Sequence, residues 1–175
     1  MRKLQRIACA IAFGATGACA APFSCTPTSN SILFGTYNPL TTTPLDATGT
    51  FVIVCTDAGG NPNRTTALAW RATLSSPALR QMAPPVGTDR VNHNLYTDAV
   101  RATVWGDGNA GTAAITGTVN VPGRATATTP PINYFGRITA AQDVSAASPA
   151  PPPTSYTQNL TITVTCTTGG TAVAC

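Results

Sequence analysis

The sequence contains no glutamate and a single lysine, Lys3. Charged residues are 9% of the chain, against about 25% in an average soluble protein. Beyond Arg2, Lys3 and Arg6 the chain has seven Arg and six Asp, a net charge of +1. Nucleic-acid binding requires clustered Lys or Arg to displace counterions from phosphates, so this composition excludes nucleic acid as a partner.

The lack of Glu and Lys also removes two good helix formers, and Thr and Val take their place. Period-two patterns bounded by Gly and Pro indicate strands. The clearest one has Leu160, Ile162 and Val164 alternating with Thr, so one face of that segment must be buried. The predicted strands are residues 31–34, 49–55, 65–74, 94–96, 99–105, 113–121, 132–138 and 159–166. Many short strands separated by turns predict an all-β sandwich or barrel.

Residues 1–20 have the pattern of a secretory signal peptide. A basic start precedes the apolar residues 7–17, and Ala18-Cys19-Ala20 forms a small-x-small cleavage site. The apolar stretch is too short for a transmembrane helix of about 20 residues. Cys19 as a lipoprotein acceptor is the alternative, disfavoured because Thr16 stands where such signals carry Leu. We therefore expect an exported protein with one domain, residues 21–175, and no transmembrane segment.

Four cysteines remain after the signal peptide: Cys25, Cys55, Cys166 and Cys175. An even number in an oxidising compartment predicts two disulfides. Three pairings are possible, and Cys25–Cys55 with Cys166–Cys175 is favoured because both closures are local. A four-thiolate zinc site would need close spacings such as C-x2-C, which the chain lacks, so no metal is expected.

One motif imitates a nucleotide-binding loop. Gly106, Gly108 and Gly111 match G-x-G-x-x-G after a predicted strand, but a Thr- and Val-rich strand follows instead of a helix. No acidic residue lies about twenty positions further on to bind a ribose. We therefore interpret the glycines as a turn and expect no cofactor.

The remaining candidates for chemistry have structural explanations. His93 is the only histidine, and no G-x-S-x-G nucleophile motif accompanies it. The six Asp lie mostly beside turn residues, which is typical of turn formation. Trp70 and Trp105 are more typical of a core than of sugar-binding platforms. No catalytic residue is predicted, and the protein is not expected to be an enzyme.

The chain resembles a known family in a series of short motifs. Asn94-Leu95-Tyr96-Thr97-Asp98 followed by Trp105-Gly106-Asp107-Gly108 is the most specific pair. The others, in family order, are Leu33-Phe34-Gly35-Thr36-Tyr37, Val54-Cys55, Arg80-Gln81-Met82 and Tyr134-Phe135-Gly136-Arg137-Ile138. Over about residues 25–166 the chain is similar to spore coat protein U domains, the subunits of archaic chaperone-usher pili.

The resemblance implies an immunoglobulin-like sandwich that lacks its last strand. In such subunits a periplasmic chaperone lends a strand, and another pilin subunit replaces it by β-strand addition at an outer-membrane usher. The resulting surface fibre serves attachment and biofilm formation. The resemblance also implies a disulfide between Cys25 and Cys55.

The chain departs from the family pattern in three places. Only residues 21–24 precede Cys25, too few for a donor segment of about ten or more residues. We therefore expect a subunit that accepts a strand without donating one and lies at the fibre tip, where residues 83–89 and 145–154 are candidate receptor loops. Residues 156–158 lack the Asp usual before the final strand. Beyond that strand, Gly169-Gly170 leads to Cys175, which could attach a short tail to the strand end.

These observations predict a structural or adhesive subunit of a chaperone-usher fimbria, exported through the periplasm to the cell surface. The alternative is a secreted or surface-coat binding module that does not polymerise. An adjacent chaperone and usher gene would favour the first hypothesis, and a solitary reading frame the second.

Overall fold

A computed structural model describes residues 23–59, 61–75, 79–85, 87–144, 156–173 and 175, without the side chains of residues 172 and 173. It is all-β, and it has no helix in these ranges that could cross a membrane. Its strands are β1 Phe23–Ser29, β2 Leu45–Asp57, β3 Thr65–Leu74, β4 Arg80–Met82, β5 Val91–Tyr96, β6 Ile115–Pro122, β7 Thr126–Thr128, β8 Ile132–Ile138, β9 Ile162–Thr168 and β10 Thr171–Val173. The predicted signal peptide lies outside the described residues.

The first sheet has the order β1-β2-β8-β5-β4, with β7 also paired to β2. The long strand β2 has different partners along its length. Its first half pairs with β8, from Leu45 opposite Ile138 to Phe51 opposite Ile132. Its second half lies between β1 and β7, both antiparallel to it. One strand therefore holds this sheet together.

The second sheet has the order β10-β9-β3-β6, and all its pairs are antiparallel. The strand β3 is central, with β6 on one side and β9 on the other. It buries Leu68, Trp70, Ala72 and Leu74 on alternate positions, which is the period-two pattern of a half-buried strand. The two sheets pack face to face, so the predicted all-β sandwich architecture is confirmed.

Trp105 links the two sheets at the centre of the core. Its indole stacks on Phe51 with ring centroids 5.3 Å apart, and Tyr134 lies at the same distance on a tilted plane. Its Nε1 donates a 3.0 Å hydrogen bond to the carbonyl of Ala72 in β3. Trp105 is 1% exposed, and its indole N–H is satisfied, as a buried Trp requires. Trp105 is therefore a core residue, and Trp70, 6% exposed, belongs to the same core.

Residues 30–37, here called the covering segment, run along the inner face of β8. The Asn30 carbonyl accepts a hydrogen bond from the Tyr134 hydroxyl, and the Tyr37 hydroxyl donates to the Thr139 carbonyl. Between these bonds, side chains of the segment pack where Gly136 has no side chain, so that an added Cβ would lie 2.6 Å from Phe34. Apart from the Asn30 N–H, which donates to the Thr50 carbonyl of β2 at 3.3 Å, the segment covers part of the first sheet without joining its ladder.

Two predicted strands are wrong. Residues 31–34 belong to the covering segment, whose apolar side chains fill space under β8 instead of extending a ladder. Residues 99–105 form a turn with single bridges at Val104 and Trp105. Asp98 causes this turn, because its carboxylate accepts the backbone N–H groups of Ala102 and Thr103 at 3.0 and 2.7 Å.

The other six predicted strands are present, two of them with the predicted bounds, β3 and β8. Four observed strands had no predicted counterpart: β1, β4, β7 and β10. Three of these four are only three residues long, and β1 contains a proline, so none gives a clear period-two signal.

Candidate functional site

The strand β9 carries an inward-facing apolar row that the fold covers only in part. Leu160, Ile162 and Val164 pack against the main core but remain partly exposed. Two of these residues pair with β3, and their partners there are buried. Leu74 opposite Ile162 is 3% exposed, and Ala72 opposite Val164 is 0% exposed. On the inner face of the second sheet, the apolar side chains of β3 are therefore buried, whereas those at β9 remain partly exposed.

The backbone of the same stretch is also unpaired on one side. Ile162–Thr165 pairs with β3 on one edge, and no described strand pairs with it on the other. Unpaired N–H and C=O groups on a strand edge are a template for another strand. We call residues 162–165, with the row of Leu160, Ile162 and Val164, the β9 edge.

The opposite margin of the second sheet is better covered. The strand β6 buries Val119 and Val121, at 8% and 0% exposure, and lies against β2 and β7 of the first sheet. Its outward positions carry Thr and Asn, which suit solvent. Ile115 at the start of β6 is also partly exposed, so β9 differs from β6 in having three such large apolar side chains in a row.

A tail hairpin occupies the remaining part of β9. The strand β10 pairs antiparallel with it, Thr171 opposite Thr168 and Val173 opposite Cys166. Gly169 and Gly170 form the two-residue turn, both with positive φ, 55° and 81°. Positive φ at both central residues is the requirement of a type I′ hairpin turn, which glycine meets without steric cost.

Both predicted disulfides are present in the structure. Cys25–Cys55 joins β1 to β2, and Cys166–Cys175 joins β9 to the residue that follows the tail hairpin. The sulfur atoms of Cys25, Cys166 and Cys175 all lie within 4.8 Å of one another, so the two disulfides are adjacent. This cluster connects the margin of the first sheet at β1 to the margin of the second at β9. All three sulfur atoms are in disulfides, Cys25 with Cys55 and Cys166 with Cys175, so they are not available as thiolate metal ligands.

The glycine-rich residues 106–112 form a turn, as predicted. The Asp107 carboxylate accepts two hydrogen bonds from Asn109. One comes from its backbone N–H at 2.9 Å, and the other from its side-chain amide at 3.0 Å. These bonds hold the pKa of Asp107 below its ordinary value. The strand β6 follows, so there is no helix N-terminus here to bind a phosphate.

His93 and Arg80 are buried side by side on the inner face of the first sheet. They are opposite each other in the β4–β5 pair and are 4% and 1% exposed. Arg80 donates to the Asn94 side-chain oxygen at 2.7 Å and to the Trp105 carbonyl at 2.6 Å. Burial, and secondarily the charge of Arg80, lower the pKa of His93 to about 4. Burial also lowers the pKa of Arg80.

The residues of the motifs that resemble the family have structural roles in the fold. Asp98 fixes a turn, Trp105 links the sheets, and Gly136 makes room for the covering segment. Residues 145–154, one of the two predicted receptor loops, lie outside the described residues. In the other, Ala83 exchanges backbone hydrogen bonds with Thr157. Sequence reasoning did not find β10 as a strand, although the Gly169-Gly170 turn signals a hairpin.

The comparisons with known proteins agree with this architecture. The family model of the Spore Coat Protein U domain matches residues 11–163. A search of the curated proteins found no match. The family is one of structural, pilus-type domains exported to the cell surface, and it is not a known enzyme family. With most of its length matched, the chain belongs to the Spore Coat Protein U domain family.

Proposed function

We propose that this protein is a subunit of a surface fibre assembled by the chaperone-usher route, and that the β9 edge accepts the strand of a partner. The sandwich would then be of the immunoglobulin-like, strand-deficient type. A periplasmic chaperone fills the edge first, and another pilin subunit replaces it at the outer-membrane usher.

The observation that carries this proposal is the partly exposed apolar row beside an unpaired backbone edge. An incoming strand gains ladder hydrogen bonds from residues 162–165 and places alternate side chains on Leu160, Ile162 and Val164. Burying one such aliphatic side chain fully contributes about 1.5–3 kcal/mol. Three partly exposed side chains together therefore favour strand addition by several kcal/mol.

Two variants of neighbouring residues test the proposal. Val164→Asp places a charge in the inward row, whereas Thr163→Asp places it on the exposed outer face of the same strand. The mature protein and both variants are produced in the periplasm with and without the pilus chaperone of the source organism. We expect wild type and Thr163→Asp to form soluble one-to-one complexes with the chaperone. Val164→Asp should lose the complex.

A contradictory result would be a wild-type protein that forms no complex with the chaperone. Equal complex formation by the Val164→Asp and Thr163→Asp proteins would also contradict the proposal, because it would place the chaperone contact elsewhere. Far-UV circular dichroism spectra that match wild type, together with intact disulfides in non-reducing peptide mapping, show that a loss of binding does not come from misfolding.

The second candidate function is a secreted or surface-coat module that does not polymerise. The tail hairpin favours it, since β10 already fills part of the edge that assembly would use. The tip position within a fibre remains a prediction from the sequence. Immunogold labelling along the whole shaft would contradict it.

A further inference from the structure

We infer that the C-terminal hairpin is a built-in competitor for the partner strand, and that the Cys166–Cys175 disulfide keeps it in place on β9. This inference rests on the proposed function, because it concerns control of the same edge. The occupant that it commits to is an extended segment of a partner with apolar side chains at alternate positions.

The hairpin and the proposed partner strand use the same side of β9. The strand β3 occupies one side of β9 along residues 162–167, so β10 can only lie on the other. There it pairs with residues 166–168 and leaves residues 162–165 open. A partner strand that pairs beyond Thr165 must therefore displace β10.

The disulfide makes this displacement difficult. Cys175 follows β10 after one residue and is bonded to Cys166, which lies in β9 and is 2% exposed. Together with the Gly169-Gly170 turn, the bond closes a ring around the hairpin, with a sequence separation of 9 between its two cysteines. Such a closure restricts the conformations in which β10 has separated from β9, and an incoming strand would need those conformations.

The position of the three sulfur atoms of Cys25, Cys166 and Cys175 also supports competition between the hairpin and a partner strand. Because Cys175 lies within 4.8 Å of both Cys25 and Cys166, the tail ends between the margins of the two sheets, at β1 and β9. This is the space that a strand added along β9 would extend into. The tail thus limits how far a partner strand can extend along β9.

A peptide-binding measurement on the mature protein tests the inference. The probe is a fluorescein-labelled peptide of about twelve residues with Val and Thr alternating and Lys at both ends, long enough to span β9. Its affinity is measured by anisotropy for wild type, Cys166→Ala/Cys175→Ala and Gly170→Val. Both variants should bind at least about tenfold more tightly than wild type, since the hairpin no longer holds residues 166–168.

Gly170→Val strains the turn and leaves both disulfides and the core intact, so it reports on the hairpin even if the cysteine variant fails to fold. Gly170 has φ 81° and no atom within 4 Å of an added Cβ. Gly111 has the same φ and the same free space in the turn before β6. Gly111→Val is therefore the matched control, and it should bind like wild type.

The possible outcomes separate the inference from the proposed function. Equal affinity for all proteins, abolished in each by Val164→Asp, overturns the inference and leaves strand acceptance at β9 intact. Tighter binding by Gly111→Val as well also overturns it, because general loosening would then explain the gain. No binding by any protein contradicts both the inference and the β9 edge as an acceptor.

Discussion

Acidification should destabilise this fold through His93, a buried side chain of the first sheet. The imidazole is 4% exposed, opposite Arg80 in the β4–β5 pair and edge-on to Phe34 with ring centroids 5.9 Å apart. Burial, then the nearby guanidinium, lower its pKa from 6.5 to about 4. The folded protein therefore resists protonation of His93, whereas the unfolded chain accepts the proton.

The size and sign of the effect follow from proton linkage. Because the folded pKa is depressed, the stabilisation is complete above pH 6.5 and is lost as the pH falls toward 4. The difference in protonation between the unfolded and folded chains lowers the free energy of unfolding by about 2.5 kcal/mol between pH 8 and pH 4.5. Asp46, Asp98 and Asp107 have pKa values below 3.8, so their losses lie mostly at lower pH.

Urea unfolding of the disulfide-intact mature protein at several pH values measures this loss, and His93→Gln is the matched variant. The variant should have nearly constant stability from pH 8 to pH 4.5, whatever its absolute stability. Because the chain has one histidine, an NMR titration of a protein without a histidine tag reads the pKa directly. A folded-state pKa near 6.5, or equal pH dependence of both proteins, would refute the reasoning.

Two further substitutions test the packing. Trp105→Phe should cost about 2–4 kcal/mol in urea unfolding, because the smaller ring leaves a cavity beside Phe51 and lacks the N–H that donates to the Ala72 carbonyl. A cost below 1 kcal/mol, a bound on the scale of a single hydrogen bond, would contradict the role of Trp105 as a link between the sheets. Gly136→Ala should cost about 1–3 kcal/mol, because its Cβ would enter the covering segment. The control Gly59→Ala, with no atom within 4 Å of the new Cβ, should be nearly neutral, and equal costs for both would mean that the segment does not pack on β8.

The strands that sequence predicts well are those whose burial follows period two. In β3 and β9 alternate residues face the core, and this pattern is visible in the residue types alone. The strand β1 lacks such a signal because it contains Pro27. A proline is tolerated there since β1 is at the margin of its sheet, where one backbone edge needs no partner.

The two wrong strands show what residue types cannot decide. Residues 31–34 have strand-forming side chains, but the fold uses them to cover β8, a choice that depends on the room left by Gly136. Residues 99–105 have residue types typical of a strand, but the Asp98 carboxylate accepts the backbone N–H groups of Ala102 and Thr103 and so forms a turn. Asp98, a residue type typical of turns, directly precedes this segment and is a signal that could have indicated the turn.

The candidate site was predictable only in part. The apolar alternation of β9 and the pairing of Cys166 with Cys175 both follow from the sequence. That one side of β9 stays open along residues 162–165 depends on which strands lie beside it in space. The family resemblance predicted a missing strand, and the geometry indicates where it would be added.

Hydrogen exchange at β9 tests the central claim most directly. The amides of residues 162–165 that point away from β3 are measured in the mature protein alone and in its complex with the chaperone. If β9 accepts a strand, these amides should exchange rapidly in the free protein and become protected in the complex, while the amides of β3 change little. Full protection of these amides in the free protein, or no gain on complex formation, would contradict strand addition at β9.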